Sequence, residues 1–172
     1  TGNIVWHYQF TPHDAWDYDG VNELVFADLP IDGKTVPVVM QANRNGFFYV
    51  IDRLNGQFIS GKAFAKVTWA AGLDEKSGKP FVNPQAYYGD QLIELSPSTG
   101  GAHNWPPMSF NPNTGLVYIP GQSGAGFNYQ VDPNFDYKPG QLNLGINVGG
   151  GGGGNQGKQG KNAPAAAESP EV

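Results

Sequence analysis

Four short runs rich in Val, Ile and Phe follow one another in the first third of the chain. They are Glu23 to Leu29 (ELVFADL), Lys34 to Ala42 (KTVPVVMQA), Gly46 to Arg53 (GFFYVIDR) and Gly56 to Phe64 (GQFISGKAF). β-branched and aromatic residues suit the half-buried surface of a strand. Between the runs lie PIDG, NRNG and RLNG, and Asp-Gly or Asn-Gly between apolar runs is a strong hairpin signal. The pattern predicts one antiparallel up-and-down meander of four strands, which is the unit of a propeller blade.

A partial second unit follows in QLIELSPSTGG and in MSFNPNTGLVYIP (Met108 to Pro120), where NPNTG reads as a turn between strands. TGNIVW (Thr1 to Trp6), LNGQFI (Leu54 to Ile59) and STGGAHNW (Ser98 to Trp105) each set a polar residue and Gly ahead of a bulky apolar anchor. Such a recurrence is what stacked repeat units produce. Composition supports the all-β reading: 25 Gly and 14 Pro among 172 residues, with 13 % aromatics, disfavour long helices and favour short strands between turns. From Gly149 to Val172 the composition shifts to a glycine run and then NQGKQGKNAPAAAESPEV. That segment lacks the apolar surface to offset its ordering entropy, so a flexible loop or tail is expected after a structured region 1–148.

One domain is expected at this length. The formal charge of −5, with Arg44 and Arg53 the only arginines, offers no basic stripe for a phosphate backbone, which argues against nucleic acid as a partner. There is no cysteine, hence neither a disulfide nor a thiolate metal site. No apolar run approaches the roughly 18 residues needed to span a bilayer as a helix, and no signal-peptide pattern is present. The chain opens on Thr, inside what reads as a turn before a strand, and a piece of a longer protein is expected.

Charge is sparse, at 15 %, yet HDAWDYDG (His13 to Gly20) holds three aspartates and two large aromatic residues. In an extended segment Asp17 and Asp19 project to one side, Trp16 and Tyr18 to the other. Asp14, three positions before Asp17, then drops out of the pair. Two carboxylates about 6 Å apart repel by roughly 3 kcal/mol at an effective dielectric near 20, so a partly buried pair needs a cation or a shared proton. A hard metal ion is one solution; a solvated turn cluster is the other. Arg44, at a hairpin tip between Asn43 and Asn45, reads by itself as an exposed turn arginine. Asn104 and Trp105 in GGAHNWPP sit between a glycine pair and a proline pair, where Trp105 could equally be a blade-core residue. His7, His13 and His103 show no metal-binding spacing, and His13 is read as a hydrogen-bonded structural residue.

TPHDAWDYDGVNELV, ANRNGFFYVIDRLNG, GGAHNWPP and NPNTGLVYIP, in this order, resemble the quinoprotein alcohol dehydrogenases that use pyrroloquinoline quinone (PQQ), the methanol and ethanol dehydrogenase family. The resemblance covers about residues 1 to 148 and implies part of an eight-bladed β-propeller, about two blades of it. It also implies that Asp17 is the catalytic base taking the alcohol's hydroxyl proton during hydride transfer, and a metal ligand as well. Arg44, Asn104 and, more weakly, Trp105 match cofactor-contacting positions. Asp19 matches the extra carboxylate of the lanthanide-dependent members; calcium is the alternative. A primary alcohol substrate, a cytochrome c acceptor and a periplasmic location are further implications, and a homodimer of the parent enzyme stays open.

The family's remaining metal ligands, its vicinal disulfide and its quinone-stacking Trp have no match here, so an isolated piece is expected to be inactive. Two other classes compete: a non-catalytic propeller scaffold, in which Asp17, Arg44 and Asn104 would face unrelated directions, and a calcium-stabilised β domain.

Overall fold

The computed structural model describes residues 2–122 and 126–149. Its strands are β1 (Val25–Ile31), β2 (Lys34–Ala42), β3 (Phe47–Asp52), β4 (Phe58–Ala63), β5 (Ala70–Leu73), β6 (Pro80–Val82), β7 (Ile93–Leu95), β8 (Ser109–Asn111), β9 (Leu116–Tyr118), β10 (Phe127–Val131) and β11 (Ile146–Gly149). One 3-10 turn, Pro84–Ala86, precedes β7, and no α-helix forms among the described residues. The all-β expectation holds.

Strands β1 to β4 form the expected meander, antiparallel and in sequence order. The β1–β2 turn is two residues long, with Asp32 (φ 48°) and Gly33 (φ 74°) both left-handed between the paired Ile31 and Lys34. This turn twists the hairpin in the same sense as its strands, which is why Asp-Gly marks it so well. Both faces of the meander are covered. Phe47, Tyr49 and Ile51 of β3, with Val39 of β2, enter one core beside Trp16, Tyr18, Trp69, Leu95 and Phe127. Val50, with Val38, Met40 and Ala42, enters a second core with Met108, against which Phe110 and Val117 of β8 and β9 pack. The near-continuous apolar run of β2 is the sequence trace of a strand buried on both sides.

The second unit is distributed over three small sheets. β7 pairs with β10, and β10 with β11; β5–β6 and β8–β9 are separate hairpins. β8–β9 is the hairpin expected around NPNTG, whereas β5, β6, β10 and β11 carried no clear alternation. Three tryptophans dock by their indole N–H groups onto backbone carbonyls: Trp6 to Arg53, Trp16 to Ala86 and Trp69 to Asn45, at 2.8–2.9 Å. Trp6 lies over Gly56 of the LNG turn, where a Cβ would meet its ring at 2.8 Å. The segment expected to be a flexible loop or tail falls, from residue 150 on, outside the described residues.

Candidate active site

Residues 13–20 wrap around the Asp14 carboxylate. Its Oδ1 accepts from the Trp16 amide at 2.9 Å, and its Oδ2 from the amides of Tyr18 at 2.7 Å and Asp19 at 3.0 Å. Asp14 therefore organises the loop with its carboxylate committed to backbone amides, a structural role that the reading of an extended segment did not give it. The reason is the backbone: His13 (φ 55°) and Asp17 (φ 65°) are left-handed, so the segment is not extended and simple alternation fails. Aspartate is among the few side-chain-bearing residues that enter this region readily.

Trp16 and Tyr18 are buried as expected. The Tyr18 hydroxyl donates to the Pro97 carbonyl at 2.6 Å, and the two rings pack on Trp69 at centroid distances of 5.2 and 5.6 Å. Between these anchors Asp17 is held outward, 64 % exposed. Asp17 and Asp19 open onto different clefts. Asp17 lies in one of about 830 Å³ with Thr99, Gly100 and Tyr129, and Asp19 in one of about 510 Å³ with Thr11, His13, Gln41 and Asn43. Among the described residues the Asp19 carboxylate accepts no hydrogen bond, and no three His, Cys, Asp or Glu gather at metal-binding distance.

Arg44 connects the two aspartates. It occupies the β2–β3 turn, which the flanking asparagines fix: Asn43 Oδ1 accepts from the Asn45 amide, and Asn45 Oδ1 accepts from the Phe47 amide. The side chain is only 14 % exposed, so the exposed-turn alternative is set aside. Its Nη2 lies 3.2 Å from Asp17 Oδ2 and also donates to the Thr99 carbonyl; Nη1 donates to the Asp19 carbonyl at 3.1 Å. The aliphatic stem runs between two glycines. A Cβ on Gly20 would come within 2.8 Å of Arg44 Cδ, and one on Gly101 (φ 80°) within 2.8 Å of Arg44 Cγ.

The loop after β7 completes the cluster. The Ala102 amide donates to the Arg44 carbonyl at 3.0 Å, and Asn104 Nδ2 donates to the Gly100 carbonyl at 3.0 Å. His103 is fully buried, its Nδ1 3.3 Å from the Pro120 carbonyl and its Nε2 4.0 Å from Glu23. Glu23 in turn accepts from the Met108 amide, so the loop carrying Asn104 is held at both ends. Trp105 is 76 % exposed and does not serve as a blade-core residue. His13, read as hydrogen-bonded, instead packs its exposed ring edge-on against Tyr87 at 5.7 Å.

Gly20, Gly101 and Thr99 were not singled out in the sequence, and the structural roles of Asp14 and His103 were not legible in it. A glycine directly after DYD and a glycine pair before HNW were the visible signals for the clamp.

Among the described residues, the buried Arg44 Nε and Asn104 Oδ1 have no hydrogen-bond partner. An unused donor and an unused acceptor beside an arginine fit a polar ligand that carries both carbonyl or carboxylate oxygens and an N–H or O–H group. Asp17 is the one carboxylate in the larger cleft among the described residues. Tyr88 and Tyr129, the other titratable groups there, are pushed up by burial and remain phenols at neutral pH.

The match to known proteins covers these same segments. Residues 1–68 match the family model for the β-propeller domain of PQQ-dependent glucose, ethanol and alcohol dehydrogenases. The quinohemoprotein alcohol dehydrogenase ADH IIB of Pseudomonas putida is 52 % identical over 126 residues, 73 % of this chain and 18 % of that protein. A 1-butanol dehydrogenase (cytochrome c) of Thauera butanivorans is 44 % identical over 149 residues, 85 % of this chain and 21 % of that protein.

The chain belongs to the PQQ-dependent alcohol dehydrogenase family. Among solved structures, the quinohemoprotein alcohol dehydrogenase ADHIIG of Pseudomonas putida HK5 aligns with a TM-score of 0.78 at 43 % identity, over 87 % of this chain and 22 % of that one. A europium-containing methanol dehydrogenase aligns with a TM-score of 0.71 at 37 % identity, over 82 % of this chain and 24 % of that one. The chain spans about a fifth of the length of the curated relatives it matches, and its fold is part of a β-propeller.

Proposed function

We propose that these residues form the base-bearing portion of a PQQ- and metal-dependent enzyme oxidising a primary alcohol to an aldehyde. The observation that carries the reading is the convergence of Asp17, Arg44 and the Asn104 loop, from three separate segments, at one cluster with a single carboxylate in its larger cleft. A scaffold in which these residues serve unrelated purposes would not gather them.

Oxidation of an alcohol removes a proton from oxygen and a hydride from carbon, and PQQ, when bound, supplies the hydride acceptor. Asp17 takes the proton at its carboxylate. Its exposure leaves an oxygen open to substrate while Arg44 holds Oδ2 in place, so the side chain is oriented before the alcohol arrives. The partnerless Arg44 Nε would donate to a PQQ oxygen, and the Asn104 Oδ1 would accept from an N–H of the cofactor, with Trp105 beside them.

For the metal, the family resemblance supplies Asp17 and Asp19 as two hard oxygen donors; here they line different clefts and are linked through Arg44, and the Asp19 carboxylate accepts no hydrogen bond among the described residues. That suits a hard cation once further donors come from outside these residues. The second carboxylate favours a trivalent lanthanide over calcium, consistent with similarity to the europium-containing protein. The reading includes a periplasmic enzyme passing electrons to a cytochrome c.

The test loads the full-length polypeptide carrying these residues with PQQ and either a light lanthanide or calcium, and measures alcohol-dependent dye reduction. Turnover with lanthanide that Asp19→Ala abolishes is expected. No turnover with any metal overturns the enzymatic reading; full lanthanide activity in Asp19→Ala overturns the role of Asp19.

A further inference from the structure

One buried histidine has no part in the chemistry proposed above. The His103 ring is fully buried, and its Nε2 has no hydrogen-bond partner among the described residues. A buried polar atom without a partner is costly, so its position calls for a reason.

Both ring nitrogens face oxygens that accept. Nδ1 lies 3.3 Å from the Pro120 carbonyl, and Nε2 lies 4.0 Å from Oε1 of the Glu23 carboxylate. A neutral imidazole has one N–H and can serve only one of these oxygens, which sets a lone pair against the other. A second proton, between Nε2 and Oε1, completes both contacts and makes the second a charge-assisted one. The same Glu23 oxygen accepts from the Met108 amide, so it already ties down the far end of the loop.

The path of the chain shows what this pair holds together. Glu23 follows shortly after Asp19, just ahead of β1, and His103 immediately precedes Asn104. On one side of His103, the Ala102 amide donates to the Arg44 carbonyl at 3.0 Å, and the Ala102 carbonyl accepts from the Gln122 amide at 2.7 Å. On the other side, Asn104 Nδ2 reaches back to the Gly100 carbonyl at 3.0 Å, which leaves its buried Oδ1 as the unused acceptor. His103 thus links the segment that carries Asp19 to the loop that carries Asn104, from a place between two residues already committed to the cluster.

We propose that the His103–Glu23 pair is a latch between these two segments, and that His103 is the positioning residue that fixes Asn104 Oδ1 against the cofactor. This rests on Asn104 being a cofactor contact. The pair adds no contact of its own to the cofactor. It acts by ordering the Asn104 loop in advance, so that less freedom is lost on binding.

The experiment uses the full-length polypeptide with either of two substitutions. His103→Phe fills the space of the ring without a donor, and Glu23→Gln, at a partly exposed side chain, keeps an acceptor for the Met108 amide. Hydrogen exchange at the Ala102 and Gln122 amides is measured in the PQQ-free protein, and PQQ affinity by quenching of tryptophan fluorescence, alone and in an Asn104→Ala background. Exchange at both amides is expected to quicken on the order of tenfold in each variant, and PQQ affinity to fall by a similar factor, the equivalent of one hydrogen bond of ordinary net strength. In the Asn104→Ala background neither substitution weakens PQQ further, because the side chain they position is gone. Unchanged exchange at both amides, or wild-type PQQ affinity in both variants, overturns the latch. A loss of affinity undiminished in the Asn104→Ala background shows that His103 supports the fold at large, and overturns the positioning role. Wild-type protein that binds no PQQ counts against the proposed function alone, and exchange then decides the latch. If His103→Phe does not fold, Glu23→Gln carries both measurements.

Discussion

Replacing Asp14 with Ala removes the acceptor around which the Asp17 loop is built. Three backbone N–H groups, those of Trp16, Tyr18 and Asp19, lose a carboxylate partner at 2.7–3.0 Å. A hydrogen bond to a charged group contributes about 1.5–3 kcal/mol when buried. Asp14 is exposed, so water recovers part of each bond, and a discounted value of roughly 0.7 kcal/mol per bond gives about 2 kcal/mol for the three. The two left-handed residues of the loop, His13 and Asp17, then lose the contact that offsets their backbone cost. Asp14→Asn keeps one acceptor oxygen and should lose about half as much. The direct assay is native-state hydrogen exchange at the three amides in the full-length protein, where about 2 kcal/mol corresponds to exchange faster by roughly 30-fold. Alcohol turnover should fall in parallel, because Asp17 is no longer held outward beside Arg44. Exchange at Tyr18 and Asp19 unchanged in Asp14→Ala would show that the loop is held by its two buried rings alone, and the argument for Asp14 would be wrong.

The glycine clamp predicts that Gly101→Ala destabilises the protein by about 2 kcal/mol, through its left-handed backbone and the displacement of the Arg44 stem, and weakens PQQ affinity. Urea midpoints and a PQQ titration check both effects, and unaltered PQQ affinity would detach Gly101 from the site. Burial pushes the Tyr8 phenol up to about 12, and those of Tyr18, Tyr49 and Tyr88 are also raised by burial. With folded values above the unfolded value near 10, the folded state keeps protons that the unfolded chain releases. Stability is therefore full below pH 10 and lost as pH rises through 12. Tyrosinate absorbance should appear together with loss of tertiary signal in that window, rather than before it.

Much of the fold was legible because its strongest signals are local. The β2 run from Lys34 to Ala42 was bounded by turns whose residues require left-handed backbone, and its position in sequence equals its position in the sheet. β10 and β11 were not visible, since FNYQV and INVG are too short for alternation to separate them from loop, and the pairing of β10 with β7 is fixed by contacts some 35 residues distant in the chain. In the candidate site the residue types were legible and their geometry was not. Burial of Trp16 and Tyr18 did follow from reading them as anchors, but alternation carried the further assumption of an extended backbone. One left-handed aspartate breaks that assumption, and no periodicity reports it.

The same turn decides how the carboxylates divide their work. Had residues 14–19 been extended, Asp17 and Asp19 would repel across one face and Asp14 would be spare. With Asp14 spent on three backbone amides, the loop reverses around it, Asp17 emerges beside the Arg44 cation, and the Asp19 carbonyl, rather than its carboxylate, receives the second guanidinium nitrogen. The Asp19 carboxylate is thereby left without a hydrogen-bond donor among the described residues. A chain that spends one acid on its own backbone and pairs the second with an arginine leaves the third as its uncommitted hard donor, so under the proposed function Asp19→Ala is expected to lower metal affinity while the Asp14-centred loop and the Asp17–Arg44 pair stay intact.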